Sequence, residues 1–350
     1  MPKFCRHNRL LQNCPICARE QAVELRPLIS SGSSGRGQRK LRAPRAAGGS
    51  GGEGGAGTAG RSRGRSGRSA TTRPAARAVG LRVRRLARES DDGYRSPLAP
   101  GLRASADAER LAVELALSAA RLEALRERPP GLYAEVADPA LDLEERTWLA
   151  FLIAYLGPRE RPDPFAAIAG ARTPWAGGRL PDLAGVASGP RGAHEPGRGD
   201  RTLAAYRSWA LRAGSQAEAL RGEPSWSAER RFARAFERLA LPGMTRDARF
   251  ELLLSLGALG LYELRAGMLA LGGTDDVTLA AKRILGIGET MLLERRAAAL
   301  ADACEVPLGA LDLALYNWSQ APEGRFTGGL GASLVADART LARVRTALGL

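Results

Sequence analysis

Between residues 29 and 92, Gly, Ser and Arg displace nearly every residue able to bury surface, as in the run GGSGGEGGAGTAGRSRGRSGRS. A stretch of this composition has too little apolar surface to offset the entropy of ordering it. It therefore reads as a disordered linker, and it divides the chain into a short segment, 1–28, and a long one, 93–350. The formal charge of +15 belongs largely to this linker: residues 36–88 carry fifteen Arg or Lys against the single acid Glu53. The rest of the chain nets about +1, an ordinary value for a folded domain. Arg-Gly-Ser tracts hold phosphate backbones electrostatically and without base readout, which makes nucleic acid the expected partner of the linker. The plain alternative is an extended tether kept open by its own repulsion.

The short segment places Cys5, His7, Cys14 and Cys17 in the spacing C-x-H-x6-C-x2-C. Soft sulfur and imidazole in a set of four suit tetrahedral zinc, and four protein ligands leave no open position for water. The expected cofactor is thus a structural zinc ion that folds a segment too short to own a core. The competing readings are a disulfide knot and a redox Cys-x-x-C pair, of which the redox pair would leave Cys5 and His7 unexplained. Cys304 lies in an Ala- and Leu-rich helical pattern and reads as a small core residue.

The long segment reads as an all-α domain. Ser105 can cap a helix in which Leu111, Leu115, Ser118, Leu122 and Leu125 recur at helical spacing until Pro129-Pro130. Asp142 and Glu145 form a capping-box pattern ahead of Leu149, Leu152, Ile153 and Leu156, a helix expected to be buried and to stop at Gly157-Pro158. Residues 173–200 hold so many Gly and Pro that a long irregular loop is expected, and such loops inside domains are often functional. His194 lies in it and, without a nameable partner, reads as a solvated residue rather than a catalyst. Further helices are expected around Leu203, Tyr206, Trp209 and Leu211, around Phe232, Phe236 and Leu239, and around Phe250, Leu253 and Leu254. Alternating strand patterns are almost absent.

The segment 278–318 carries the most chemistry. Leu285-Gly286-Ile287-Gly288 sits between two helical runs in the form of a helix-hairpin-helix turn. There the N–H groups opening the second helix can point at a DNA phosphate. Gly286 and Gly288, with Arg283, Arg295 and Arg296, are the candidate DNA-binding residues; a plain interhelical turn with surface arginines is the alternative. Lys282, Glu289 and Asp312 are the candidate catalytic residues. Lys282 is the only lysine of the long segment and could serve as a nucleophile, or be solvated. Glu289 could act on substrate, or only complement the helix dipole. Asp312 becomes a candidate base if its helix packs beside the hairpin, and is otherwise an exposed acid.

The runs FCRHNRLLQNCPIC, RFELLLSLGALGLYEL, AAKRILGIGETMLLERRA and LGALDLALYNW resemble the α-glutamyl/putrescinyl thymine pyrophosphorylases, clade 3. The likeness covers residues 1–20 and 95–350 and leaves out the linker. It implies an all-helical enzyme acting on DNA thymine hypermodification, in which an amino acid or polyamine displaces pyrophosphate from an activated hydroxymethyl-uracil. It implies no residue-by-residue catalytic assignment. A weaker similarity to helix-hairpin-helix DNA glycosylases fails at the expected lysine after the G-h-G, where Thr290, Met291 and Leu292 stand instead. The competing reading is a non-catalytic zinc-containing DNA- or RNA-binding protein. P-loop, H-E-x-x-H, nucleophile-elbow and Rossmann patterns do not occur. No signal peptide or membrane span is read, and with the Arg- and Ala-heavy usage this points to a bacterial cytoplasm.

Overall fold

In a computed structural model the described residues are 89–350, Arg161 excepted. The proposed zinc ligands Cys5, His7, Cys14 and Cys17, and all but the last residues of the linker, lie outside them. Among the described residues there are helices and no strands, and no helix is long and apolar enough to cross a membrane.

Two helices that are apolar on every side organise this body, because such a helix is stable only when other elements surround it. The first is α3 (Leu143–Leu156), in which every residue from Thr147 to Leu156 is buried. Asp142 caps it by accepting from the N–H groups of Glu144 and Glu145, and Gly157 ends it at φ +70°. The reciprocal half of the expected capping box does not form. Glu145 instead accepts from the N–H groups of Trp175 and Ala176, at 2.9 and 3.0 Å, and so anchors the long loop. Around α3 pack α2 (Leu132–Ala137), the short α4 (Ala166–Ala171), α6 (Gln216–Arg221) and α8 (Arg246–Ala258). Trp148 and Phe151 of α3 stack on Tyr206 of α5 (Gly199–Arg212), the Phe151 and Tyr206 rings lying 3.7 Å apart. Helix α7 (Ala228–Arg238) covers α8 through Phe232, whose ring meets Phe250 edge-on.

The second all-round helix is α11 (Leu308–Ser319), buried from Gly309 to Trp318. It packs on α1 (Ser105–Glu127) and on α9 (Asp276–Leu285); α10 (Thr290–Ala303) follows α9, and α12 (Ala338–Leu348) lies on α1. Leu311 and Leu315 have no exposed surface. Truncating either to Ala would cost about 2–5 kcal/mol through lost transfer energy and the cavity left behind. Helix α1 shows the expected buried face, Leu111, Leu115, Ser118, Leu122 and Leu125. Its cap is not the Ser105 side chain, however: the Asp92 carboxylate accepts from both the N–H and the hydroxyl of Ser105. Leu211, expected beside Trp209 in the core, is 55% exposed. Cys304 is fully buried, and burial pushes its thiol up to about 11, as an inert core residue requires.

The two groups of helices meet where α1 touches α8. The loop between α4 and α5 reaches this seam. Its residues 188–194 lie on the C-terminal end of α3, with the N–H groups of Gly189 and Ala193 donating to Leu156 and Tyr155 carbonyls at 2.7 Å. The approach is so close that a Cβ on Gly192 would lie 2.3 Å from the Leu156 oxygen. That contact turns Arg191 inward, to 3% exposure.

Candidate functional site

Six charged side chains are gathered at the seam. Arg246 and Asp247 open α8, Glu251 lies one turn on, Arg121 comes from α1, Asp312 from α11 and Arg191 from the loop. Asp312 accepts from Arg191 through one carboxylate oxygen and from Arg246 through the other. Asp247 sits 3.0 Å from Arg246 and 3.7 Å from Arg191. Asp312 is 1% exposed and Asp247 17%, so Asp247 is the carboxyl that meets solvent. Beside this foursome, Arg121 pairs with Glu251, whose Oε1 also accepts from Ser255 at 3.2 Å and lies 3.4 Å from the Tyr133 hydroxyl.

Burying charge is costly unless it is paired, so the shifts within the cluster are opposed. Burial works against the Asp312 carboxylate, but the Arg191 and Arg246 guanidiniums outweigh it and hold Asp312 below the usual carboxylate value. Burial raises Asp247 above that value; Arg191 opposes the rise and negative Asp312 adds to it. Two carboxyls that share two guanidiniums are thereby pushed apart in acidity. Arg191 keeps two donors, Nε and Nη1, without a partner, and its guanidinium lies 5.0 Å from the Tyr316 ring centre. A buried donor left unpaired costs about 1–3 kcal/mol, and such groups call for a water, an ion or a ligand.

Helices α9 and α10 are joined through residues 286–289, and α11, which carries Asp312, packs against α9. Asp312 is therefore no exposed acid. The three proposed catalytic residues are not bonded to one another in this arrangement. Lys282 is half-buried, with Nζ 3.5 Å from the Gly273 carbonyl. Glu289 is the N-cap of α10: its carboxylate accepts from the N–H groups of Met291 and Leu292 at 3.0 and 2.7 Å. Those two donors, expected to face a DNA phosphate, are already satisfied by a negative group of the chain itself.

Of the two hairpin glycines only Gly286 is demanded by the backbone, at φ +63° and closely backed by Gly101. A Cβ on Gly288 would meet nothing. Arg295 is exposed, Arg296 donates to the Leu285 carbonyl at 2.6 Å, and the Arg283 guanidinium lies 5.0 Å from the Trp318 ring centre.

His194 is corrected by the structure: it is buried at 5% exposure, not solvated. Its Nε2 lies 3.0 Å from the Leu183 carbonyl, and its Nδ1 has no partner. Sequence reading missed Arg121, Arg191, Arg246, Asp247 and Glu251. Two of them left a signal, since Arg121 falls on the apolar face of α1, four residues before Leu125, and Glu251 interrupts the run Phe250 to Leu254. Among the described residues no group of His, Cys, Asp and Glu could hold a metal ion. No family model, curated protein or solved structure matches this chain, so the reading of the site rests on its own geometry.

Proposed function

We propose that the helical body is a DNA-base-modifying enzyme, with Asp247, Asp312, Arg191 and Arg246 as its reaction centre and the α9–α10 hairpin as its approach to the duplex. The observation that carries this reading is the pair of carboxyls, one held ionised and one raised, bound to the same two guanidiniums. Environments that push two carboxyls apart in this way separate a proton-transferring group from a fixed charge. In an exchange of the kind implied by the resemblance, an amine replaces pyrophosphate on the 5-methylene carbon of a thymine-derived base. Asp247, the solvent-reachable member, would take the proton that the attacking amine gives up. Arg191 and Arg246 would hold the departing negative charge, and Asp312 would fix both guanidiniums in place. Arg283, Arg295, Arg296 and the Gly286–Gly288 turn would carry backbone contacts that position without reading sequence. Lys282 and Glu289 fall to supporting roles in this scheme.

The test is product formation on a duplex bearing the pyrophosphorylated base, with a pool of amino acids and polyamines, read by nucleoside mass spectrometry. Modified nucleoside should form with wild type, and Asp247→Asn should abolish most turnover while leaving duplex binding intact. Binding without product would favour the second reading, a non-catalytic nucleic-acid-binding protein. One observation supports that alternative: both Asp312 oxygens are already engaged by arginine.

The N-terminal Cys5, His7, Cys14 and Cys17 are proposed to hold one structural zinc, on spacing alone. Cys14→Ser should release it without changing helical content. An unchanged zinc content by mass spectrometry would remove the site.

A further inference from the structure

A cleft of about 370 Å³ opens beside the start of α5, lined by Tyr155, Ala193, Glu195, Arg198, Arg201, Thr202, Pro242 and Gly243. It shares no residue with the Asp312 cluster. Three features bear on what it can hold. The first is the helix end. Helix α5 is 14 residues long, and its N-cap, Arg198, provides no capping side chain. The hairpin helix α10, by contrast, has its first donors filled by Glu289. An open N-terminus presents N–H groups and partial positive charge to an anion.

The second feature is polar capacity left unused in buried groups. Tyr155 and Thr202 are 1% and 2% exposed, yet both line the cleft. The one side-chain partner of the Tyr155 hydroxyl is Thr202. When either hydroxyl donates to the other, the accepting one keeps an O–H of its own, and both residues line the cleft. The packing around the start of α5 is close: a Cβ on Gly199, its first residue, would come within 3.1 Å of the His194 Nδ1. The close fit continues at Gly243, where a Cβ would lie 2.0 Å from the Thr202 hydroxyl oxygen.

The third feature is charge. Arg198 and Arg201 both line the cleft; Arg198 is bound to Glu195 at 2.8 Å on the exposed rim, and Arg201 is exposed. Glu195 at the rim and Asp200 in the first turn of α5 oppose an anion. Asp200 does not line the cleft, and Glu195 is the carboxylate an incoming anion would displace from Arg198.

We propose that this cleft binds an oxyanion of the phosphate class. The open helix end supplies N–H donors, Arg201 and a released Arg198 supply charge, and the Tyr155–Thr202 pair supplies the remaining O–H. The inference is independent of the proposed reaction at Asp247. Phosphate can arrive free in solution or as part of a nucleic-acid backbone, and the same surface serves either.

The test uses the full chain, titrated with inorganic phosphate by calorimetry, as wild type and as the variants Arg201→Ala, Glu195→Gln and Tyr155→Phe. All four carry the same basic linker, so its own phosphate affinity cancels in the comparison. Loss of a charge-assisted contact should weaken phosphate binding about tenfold in Arg201→Ala and less in Tyr155→Phe. Removing the competing carboxylate in Glu195→Gln should strengthen it a few fold. Arg201 and Glu195 are surface residues whose exchange leaves the core intact, so the opposite signs of these two variants are readable whatever Tyr155→Phe does to folding. A parallel titration with a short duplex distinguishes the sources. If Arg201→Ala weakens duplex and phosphate alike, the cleft takes backbone phosphate; if it weakens phosphate alone, the cleft takes the free ion. Phosphate affinity that is absent, or equal in wild type, Arg201→Ala and Glu195→Gln, overturns the proposal. Loss of turnover in Asp247→Asn with phosphate binding unchanged would leave it standing.

Discussion

Two arginine–carboxylate groupings occupy the seam between the helices, and they are built differently. Arg121 and Glu251 form a one-to-one pair, both nearly free of solvent exposure, with Tyr133 and Ser255 gathered around the same carboxylate oxygen. Asp312 and Asp247 instead share Arg191 and Arg246, and one edge of that foursome meets solvent. The first leaves one donor, Arg121 Nε, without a partner; the second has one carboxyl with its pKa raised and three such donors, Nε and Nη1 of Arg191 and Nε of Arg246. A buried one-to-one pair closed to solvent holds a structure together, whereas a shared set with one edge in solvent can take part in chemistry.

The largest expected effect falls on the closed pair. Glu251→Gln leaves Arg121 buried and without a counter-charge, and should cost about 3–5 kcal/mol in denaturant unfolding. A loss below 1 kcal/mol would mean that Arg121 finds water or another partner, and the contrast between the two groupings would collapse. Asp312→Asn strips the shared set of its fixed charge but leaves Asp247 within reach of both arginines, so about 2–3 kcal/mol is expected, less than for Glu251→Gln. The reverse order would make the foursome the stronger structural element.

The smallest effect on stability should come from Asp247→Asn, within about 0.5 kcal/mol at neutral pH, because ionising Asp247 in the fold is already harder than in water. The signs with pH follow from the two shifts. Unfolded aspartates titrate near about 3.9. For Asp312, held below that, the unfolded state binds more protons just under this value, so its stabilisation is present above it and is lost as pH falls through the folded value. For Asp247, held above it, the folded state binds more protons, so stability declines as pH rises through its folded value. Unfolding free energies of wild type and Asp247→Asn measured from pH 4 to 7 should therefore diverge in favour of the variant as pH rises. A variant that loses ground over that range would assign the raised value to another group.

Much of the helical pattern was legible because it depends on local spacing. The faces of α1 and α3, the stop at Gly157, most of the irregular loop expected over 173–200 and the pair of helices around Gly286 follow from periodicity and from residues that punctuate helices. Cap chemistry was legible only in part. Asp142 caps α3 as its position implies, but Asp92 caps α1 from thirteen residues away, and Glu145 spends its carboxylate on the loop. A carboxylate three residues into a helix has several backbone donors to choose from, and the choice falls to whatever packs nearby. The turn at Gly286 shows the same limit: its glycines and flanking helices can be read, but not that Glu289 would accept from the first donors of α10.

The candidate site was the least legible part. Asp312 was singled out for its distance from the hairpin, but its partners come from the first turn of α8 and from a loop of low complexity. Neither Arg191 nor Asp247 stands out in a chain so rich in arginine and ordinary acids. Burial separates them from the rest, and burial is a property of the assembled helices.

By itself, then, the sequence determined that residues 93–350 are helical, where α1 and α3 begin and end, and that the positive charge belongs to the linker. These follow from short-range spacing and composition, which act on neighbours along the chain. The tertiary structure alone decided which charges leave water, which arginines share a carboxylate, and which helix end stays open to an anion. Those outcomes depend on desolvation and on contacts between residues more than a hundred positions apart, such as Arg191 and Asp312. No local pattern encodes them.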